Sequence, residues 1–287
     1  MGKIGFVTDS SCYLPQKYVD KYNVKVAPLY VIFADRTYKE GVDITPEEFY
    51  AKLAEVKAAG GAMPTTSQPT PADFVAAYEE LIAEGVDQII AITVTAKSSG
   101  TFASAQLAKD MVKGADITVV DSTSVNMQMG YMLLEAAKAI EAGGGVKEAL
   151  AAIDKVKAKS CLFFTVTELE HLERSGRTVG AKEAIEAEVK VKPVVSLEGG
   201  VPHVVDKVRT NKAGIDRVIE LAKEKLAGSK VKGITIVQTN IPKRAQRLVE
   251  RLRQEFDYQG GVLVNELGSA MAVHFGPGCL GMAACGE

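Results

Sequence analysis

The stretch QIIAITVTAKSSGT, residues 88–101, is the strongest indication of the fold of the N-terminal half of this chain. Residues 88–94 are almost entirely apolar, which is typical of a buried strand. Residues 102–112 follow, where Ala103, Leu107 and Met111 recur at helical spacing and predict an amphipathic helix. A strand, a turn of small residues and a helix in succession indicate an α/β fold with a parallel sheet.

The turn Ser98-Ser99-Gly100-Thr101 between this strand and helix is a candidate anion site. The first N–H groups of a helix lack partners within it, and the helix dipole favours negative charge there. Ser99 and Thr101 add hydroxyl donors, and there is no lysine of the P-loop type. A carboxylate therefore suits the turn at least as well as a phosphate does. The alternative is that these residues only cap the helix.

Alternation of strands and helices extends over the first half of the chain. Apolar runs predict strands at 3–7, 24–33, 88–94 and 116–120. Thr45-Pro46-Glu47-Glu48 is a capping-box sequence, and Thr70-Pro71-Ala72-Asp73 starts a further helix. Helices are also predicted at 127–140 and 146–158. We therefore expect an N-terminal three-layer α/β/α domain, residues 1–159, built on a parallel sheet.

The pattern changes near Lys159. Two strand-like segments flank Glu198-Gly199-Gly200 and predict a hairpin, which makes the second sheet mixed. Apolar residues at helical spacing predict helices over 215–226 and 245–256, with strands at 162–166, 234–239, 262–266 and 280–284. The expected second domain is a mixed-sheet α/β domain, residues 160–287.

Composition limits the function classes. The formal charge is −2 and the isoelectric point about 6.1, whereas binding a polyanion needs clustered Lys and Arg. No apolar run has the length of a membrane span, and the first residues lack the apolar region of a secretory signal. Four scattered cysteines predict neither a disulfide framework nor a metal site. We expect a cytoplasmic protein without a nucleic acid partner, a metal or a cofactor.

Further polar clusters follow predicted strands or precede helices. Thr8-Asp9-Ser10-Ser11 and Asp121-Ser122-Thr123-Ser124 lie where parallel strands end, the edge that lines ligand crevices. The alternative is that each is an Asx turn or helix cap. We expect Thr65-Thr66-Ser67-Gln68-Pro69 to form a loop. The nearby prolines make this loop rigid, so it could hold a hydrogen-bond donor in a fixed position.

Among the histidines, His274 stands out because His274-Phe275-Gly276-Pro277-Gly278 predicts a rigid turn that would fix the imidazole. A lone histidine can equally be structural. His171 and His203 are expected to be exposed, and the three lack metal-ligand spacing. Arg177 and Arg209 are candidate anion contacts, since an arginine fork suits carboxylate and phosphate oxygens.

Taken together, these motifs resemble the DegV family. The resemblance covers nearly the whole chain and is carried by Phe6-Val7-Thr8-Asp9-Ser10-Ser11, Thr66-Ser67-Gln68-Pro69, Ser98-Ser99-Gly100-Thr101-Phe102, Val119-Val120-Asp121-Ser122, Leu172-Glu173-Arg174-Ser175-Gly176-Arg177, Lys192-Pro193-Val194, Lys207-Val208-Arg209-Thr210 and His274-Phe275-Gly276-Pro277-Gly278. The Ser-Gly-Thr and His-x-Gly-Pro-Gly motifs are its most specific parts.

The resemblance implies two domains with a long-chain fatty acid in a tunnel between them. It implies that the protein is not itself an enzyme but the acyl-carrying subunit of a bacterial fatty acid kinase. A separate ATP-binding kinase subunit would phosphorylate the bound carboxylate to an acyl phosphate. The resemblance also implies a function in phospholipid synthesis and allows transient contact with a membrane. By motif, Thr66, Ser99 and Gly100 would hold the carboxylate together with His274. Arg209 would support phosphotransfer near the carboxylate, and Arg177 receives no definite role.

Two other function classes are open on the sequence. A stand-alone serine hydrolase would use Ser99 as nucleophile and His274 as base, although no nucleophile elbow is present and no Asp in the His274 motif orients the ring. A DNA-binding regulator is disfavoured by the acidic balance and by the lack of a basic recognition helix.

Overall fold

A computed structural model of the protein describes residues 2–167, 169–180, 182 and 191–287. The described chain divides into two compact units, Met1–Lys157 and Ala158–Glu287, called unit 1 and unit 2 below. No helix among the described residues is both long and apolar enough to cross a membrane.

The strands in chain order are β1 (Ile4–Asp9), β2 (Lys25–Ala27), β3 (Tyr30–Ile32), β4 (Thr37–Lys39), β5 (Thr65–Ser67), β6 (Gln88–Thr93), β7 (Asp116–Asp121), β8 (Ser160–Thr165), β9 (Lys192–Glu198), β10 (Val201–Val208), β11 (Val231–Gln238), β12 (Leu263–Glu266) and β13 (Leu280–Gly286). The helices are α1 (Gln16–Tyr22), α2 (Pro46–Ala58), α3 (Pro71–Ala83), α4 (Thr101–Met111), α5 (Met127–Glu141), α6 (Val146–Ala158), α7 (Leu169–Ser175), α8 (Asn211–Lys225), α9 (Pro242–Gln246), α10 (Val249–Glu255) and α11 (Ser269–Phe275).

Unit 1 is built on a parallel sheet in the order β2-β1-β6-β7. Its core packs β1 and β6 against α3 and α4, with Phe74 and Tyr78 fully buried. The helices begin where the sequence predicts, since Thr45 and Thr70 each form a capping box with the residue three positions on, and each is followed by a proline.

Unit 2 is built on a mixed sheet in the order β10-β9-β8-β13-β11-β12, in which only β11 and β12 are paired in parallel among the described strands. The predicted hairpin is present as β9 and β10, joined at Gly199 and Gly200. Both glycines have positive φ, 58° and 85°, which a tight hairpin turn requires. The predicted α/β class, with one parallel and one mixed sheet, is confirmed.

Two predictions for unit 1 were wrong, one of a strand and one of a loop. The single strand predicted over 24–33 is two strands in two sheets: β2 pairs with β1, whereas β3 pairs with β4 and β5. Pro28 lies between them and has no N–H for a ladder. The expected loop at 65–69 is also wrong, because Thr65–Ser67 forms β5, with Thr66 opposite Val31.

Two helices also differ from expectation. The helix predicted over 245–256 is interrupted between α9 and α10, where the Leu248 N–H donates to the carbonyl of Ala245 in a tighter turn (2.9 Å). In α4 the predicted helix is present, but its apolar residues at helical spacing do not face the core: Leu107 and Met111 are 54% and 61% exposed, while Ala105 and Ala108 are fully buried.

Candidate functional site

The Ser99 turn lies in unit 1 at the carboxyl end of β6. Gly100 is the N-cap of α4 and supplies no side-chain cap. The Ser99 hydroxyl lies 2.8 Å from the hydroxyl of Thr101 and accepts from the Thr101 N–H at 3.3 Å. Two hydroxyls and the start of an eleven-residue helix thus meet at one turn. The arrangement can hydrogen-bond an anion without contributing a formal positive charge.

The segment that carries Thr66 reaches this turn. Gln68 directly follows β5, and a β-carbon added at Gly100 would lie 3.0 Å from its side-chain nitrogen. Thr66, two residues earlier, is half-buried in β5. Unit 1 therefore brings two of the motifs singled out in the sequence next to one another, although they are more than thirty residues apart along the chain.

The buried residue Asp9 stabilises the same edge of the sheet. Its carboxylate is fully buried at the end of β1 and accepts from the backbone N–H of Val94 (2.7 Å), the backbone N–H of Ser11 (3.0 Å) and the Ser11 hydroxyl (2.5 Å). Burial raises the pKa of Asp9 to about 6, while these hydrogen bonds oppose the rise. Asp9 ties the ends of β1 and β6 together and also caps a short 3₁₀ turn.

The second Asp-Ser cluster is a turn of the same kind. Asp121 Oδ1 accepts from the N–H groups of Thr123 (2.8 Å) and Ala96 (3.1 Å), and the buried Ser122 hydroxyl donates to the carbonyl of Ser124 (3.0 Å). These contacts hold the end of β7 beside the segment that leads to Ser99. The turn interpretation of this cluster accounts for its contacts.

His274 lies in unit 2, in the last turn of α11 and not in the turn that the sequence predicted. The turn begins two residues later, at Gly276. Thr239 holds it by donating its hydroxyl to the Gly276 carbonyl (2.8 Å) and accepting from the N–H of Cys279 (2.8 Å). The predicted rigidity is present, and it fixes the end of the helix that carries the half-buried imidazole.

The prediction that His171 is exposed was wrong. Its side chain is fully buried on α7, and its Nδ1 lies 3.1 Å from the carbonyl of Val273. His203 is half-buried on β10. Across the described ranges, no three His, Cys, Asp or Glu side chains are grouped so that they could hold a metal ion.

Arg177 is the charged neighbour of His274. Its Nη1 lies 3.3 Å from Nδ1 of His274 and also donates to the carbonyl of Ser175 at 3.2 Å. Burial, with smaller contributions from Arg177, Arg174 and His171, lowers the pKa of His274 to about 3. The imidazole is therefore neutral at physiological pH. Arg209 has an exposed side chain in the connection between β10 and α8.

Asn126 is a further notable residue, although no motif in the sequence marks it. It is fully buried at the start of α5, and its φ of 59° and ψ of −154° lie in a region that residues other than glycine rarely adopt. Its N–H donates to the carbonyl of Ser11, which places it beside the Asp9 segment (2.9 Å). The available signal was weak: asparagine tolerates positive φ better than most residues.

The family model described as "Uncharacterised protein, DegV family" matches residues 3–287. Among curated proteins, a DegV domain-containing protein of Halalkalibacterium halodurans is 34% identical over 284 residues, covering 99% of this chain and 98% of that protein.

Two solved structures are similar over almost their whole length. One is the structure of a DegV family protein from Thermus thermophilus, and its description reports fatty acid binding. It has 33% identity and a TM-score of 0.88, with 99% of this chain and 100% of that chain covered. The other is DegV of Bacillus subtilis, described as a fatty acid binding protein, with 30% identity, a TM-score of 0.86 and full coverage of both chains. From the family match and these relatives together, we conclude that this chain belongs to the DegV family.

Proposed function

We propose that this protein binds a long-chain fatty acid and presents its carboxylate to a separate ATP-binding kinase subunit, which converts it to an acyl phosphate. The observation that carries the proposal is the full-length similarity to two solved DegV proteins described as fatty acid binding. The hydroxyl-rich Ser99 turn supports it, because it offers donors suited to a carboxylate.

In the proposed complex, the carboxylate accepts hydrogen bonds from Thr66, Ser99, the backbone at Gly100 and His274. A buried carboxylate without partners would be costly, so several donors are needed. Because hydroxyls and N–H groups are neutral, they satisfy the oxygens without the tight hold of a bidentate arginine. One oxygen then remains able to attack the γ-phosphorus of ATP, with ADP as the leaving group.

The acyl tail supplies most of the affinity. Each buried CH₂ contributes about 0.8 kcal/mol, so a tail of about 16 carbons gains on the order of 10 kcal/mol before the costs of binding. A protein that shields such a tail serves a cytoplasmic carrier function, with transient membrane contact when the acid is loaded or released. Arg209 is exposed, as a side chain that supports phosphotransfer at the kinase subunit must be.

Native mass spectrometry of the freshly purified protein, followed by denaturing extraction, tests fatty acid binding directly. We expect a mass increase of one long-chain acid and the same acid in the extract. Thr66→Ala combined with Ser99→Ala should reduce retention by about tenfold or more, since each lost hydrogen bond costs roughly 0.5–1.5 kcal/mol. Unchanged retention in that variant, together with unchanged phosphorylation, would rule out the proposed carboxylate site.

Two matched controls separate loss of the hydroxyl from general damage. Thr66→Ser keeps a hydroxyl at the site and should retain the acid. Thr65→Ala removes an exposed hydroxyl from the neighbouring position of β5, where side chains point to the opposite face, and should also behave like the unchanged protein.

The kinase step is tested separately. With a fatty acid kinase ATP-binding subunit and ATP, the loaded protein should yield an acyl phosphate that hydroxylamine traps as a hydroxamate. Arg209→Ala should keep the fatty acid but lose most of the hydroxamate. Equal hydroxamate from both proteins would remove Arg209 from the proposal while leaving fatty acid binding intact.

A further inference from the structure

The contact between Arg177 and His274 determines which ring nitrogen of His274 carries the proton. Nη1 of Arg177 lies 3.3 Å from Nδ1 of His274. A guanidinium has only N–H donors and no acceptor. Nδ1 must therefore present its lone pair to Arg177 and cannot be protonated while this bond exists.

The charge state of His274 completes the assignment. Burial lowers its pKa to about 3, and the positive charges of Arg177 and Arg174 and the neighbouring His171 act in the same direction. The ring is neutral at physiological pH and carries one proton. With Nδ1 accepting from Arg177, that proton is on Nε2.

Arg177 is held in place by its own segment. Gly176 has a φ of 63°, which turns the chain after α7, and the Arg177 N–H donates to the Ser175 hydroxyl at 3.3 Å. That hydroxyl in turn donates to the carbonyl of Leu172 (2.8 Å). The second N–H of Nη1 donates to the Ser175 carbonyl at 3.2 Å. Both protons of Nη1 thus have acceptors, which orients the guanidinium toward the imidazole.

We propose that Arg177 is a positioning residue that holds His274 in the Nε2–H form, so that the imidazole donates a hydrogen bond to the bound anion through Nε2. The proposal rests on the proposed function, in which that anion is a fatty acid carboxylate. Arg177 thereby has a role that its sequence motif alone does not give it.

The assigned tautomer has a consequence for the alternative serine hydrolase. A general base must offer a lone pair to the nucleophile. In the Nε2–H form, the lone pair of His274 is directed at Arg177, and the other nitrogen is already protonated. His274 is then a donor to an anion and cannot deprotonate Ser99.

The test is long-range ¹H–¹⁵N correlation NMR on lipid-free protein labelled with ¹⁵N histidine. The chain has three histidines, and a His274→Gln variant assigns the signals of His274. We expect Nε2 to be protonated and Nδ1 to be unprotonated near neutral pH. A protonated Nδ1 in the unchanged protein overturns the proposal without any variant being needed.

Substitutions of Arg177 test whether its hydrogen bond sets the tautomer. Arg177→Leu removes the hydrogen bond and the charge and should give a mixture of tautomers with a raised pKa of His274. Arg177→Lys keeps a side chain that has N–H donors and no acceptor, and it should preserve the Nε2–H form. Arg174→Leu is the matched control: it removes a nearby charge that has no such bond to His274 and should leave the tautomer unchanged. An unchanged tautomer in a folded Arg177→Leu variant also overturns the proposal.

Measuring the fatty acid affinity of the same proteins distinguishes failure of this proposal from failure of the proposed function. We expect Arg177→Leu to bind a long-chain acid about tenfold more weakly and Arg177→Lys to bind within about threefold of the unchanged protein. If no protein in the series binds a fatty acid, the proposed function fails while the tautomer result still decides the role of Arg177.

Discussion

Gln68 and Gly100 are in close approach: a β-carbon on Gly100 would lie 3.0 Å from the side-chain nitrogen of Gln68. Gly100 has a φ of −77°, which any residue adopts, so the backbone does not require glycine there. The residue at position 100 must be small because the Gln68 side chain occupies the adjacent space. This approach joins the segment after β5 to the turn that starts α4.

We predict that Gly100→Ala weakens fatty acid binding more than it weakens the fold. The added methyl group pushes the Gln68 amide outward and opens the proposed carboxylate site. The expected loss is about two- to tenfold in affinity, the equivalent of one perturbed hydrogen bond. Isothermal titration with a long-chain acid measures it, and circular dichroism should show unchanged secondary structure.

Gly61→Ala is the matched control for that variant. It lies in the same unit, and its β-carbon would approach no atom more closely than 3.4 Å, which is ordinary contact. Equal affinities of Gly100→Ala and Gly61→Ala for the acid would show that the approach of Gln68 does not shape the site.

A second prediction concerns pH and Asp9. Since burial raises the folded-state pKa of Asp9 from 3.8 to about 6, the folded protein binds this proton more tightly than the unfolded chain does. The contribution of Asp9 to the free energy of unfolding is therefore greatest at low pH and is lost as the pH rises through about 6.

Comparison with Asp9→Asn isolates this effect, because the other titrating groups cancel in the difference. An amide offers one acceptor oxygen to the three donors around Asp9, so the variant should be less stable at every pH. The stability gap should be larger at about pH 5 than at about pH 7 by roughly 1 kcal/mol. Urea unfolding at the two pH values measures it; a gap that stays constant or shrinks at low pH contradicts the assigned shift.

A third prediction concerns the turn after α11. Gly276 has a φ of 70°, and a β-carbon there would lie 2.7 Å from the ring of the buried His171. Gly276→Ala should therefore cost about 2 kcal/mol or more from backbone strain and crowding together, and lower the melting temperature by several degrees. Gly261→Ala is the control, since its β-carbon would meet no atom within 4 Å and its φ is not positive. Similar melting temperatures for the two variants would argue against a role for the His171 contact.

The sequence predicted those parts of the fold whose signal is local. Capping boxes at Thr45 and Thr70 fixed helix starts, and continuous apolar runs revealed β1, β6 and β7. The pair Gly199-Gly200 revealed the hairpin, because two positive φ angles are cheap only for glycine.

Parts of the site depended on contacts between distant segments and could not be predicted in this way. Thr65–Ser67 is polar and only three residues long, so nothing marks it as a strand until Val31 pairs with Thr66. The burial of His171 depends on α11, about a hundred residues later in the chain. The contact of Arg177 with His274 spans a similar separation, so the motif alone gave Arg177 no role.

The orientation of α4 supplies the last prediction. Leu107 and Met111 recur at helical spacing, yet the structure exposes them and buries Ala105 and Ala108 against the core beside Tyr78, whose hydroxyl donates to the Ala105 carbonyl at 3.2 Å. Only small residues allow this close approach of α4 to α3.

Ala108→Leu should therefore destabilise the protein by about 1–3 kcal/mol through overpacking. Leu107→Lys, one position away on the exposed face, should change the free energy of unfolding by no more than about 0.5 kcal/mol. Urea denaturation of the two variants decides between the faces: if Leu107→Lys is the more destabilising variant, the face of α4 that carries Leu107 packs against the core instead of the face that carries Ala108.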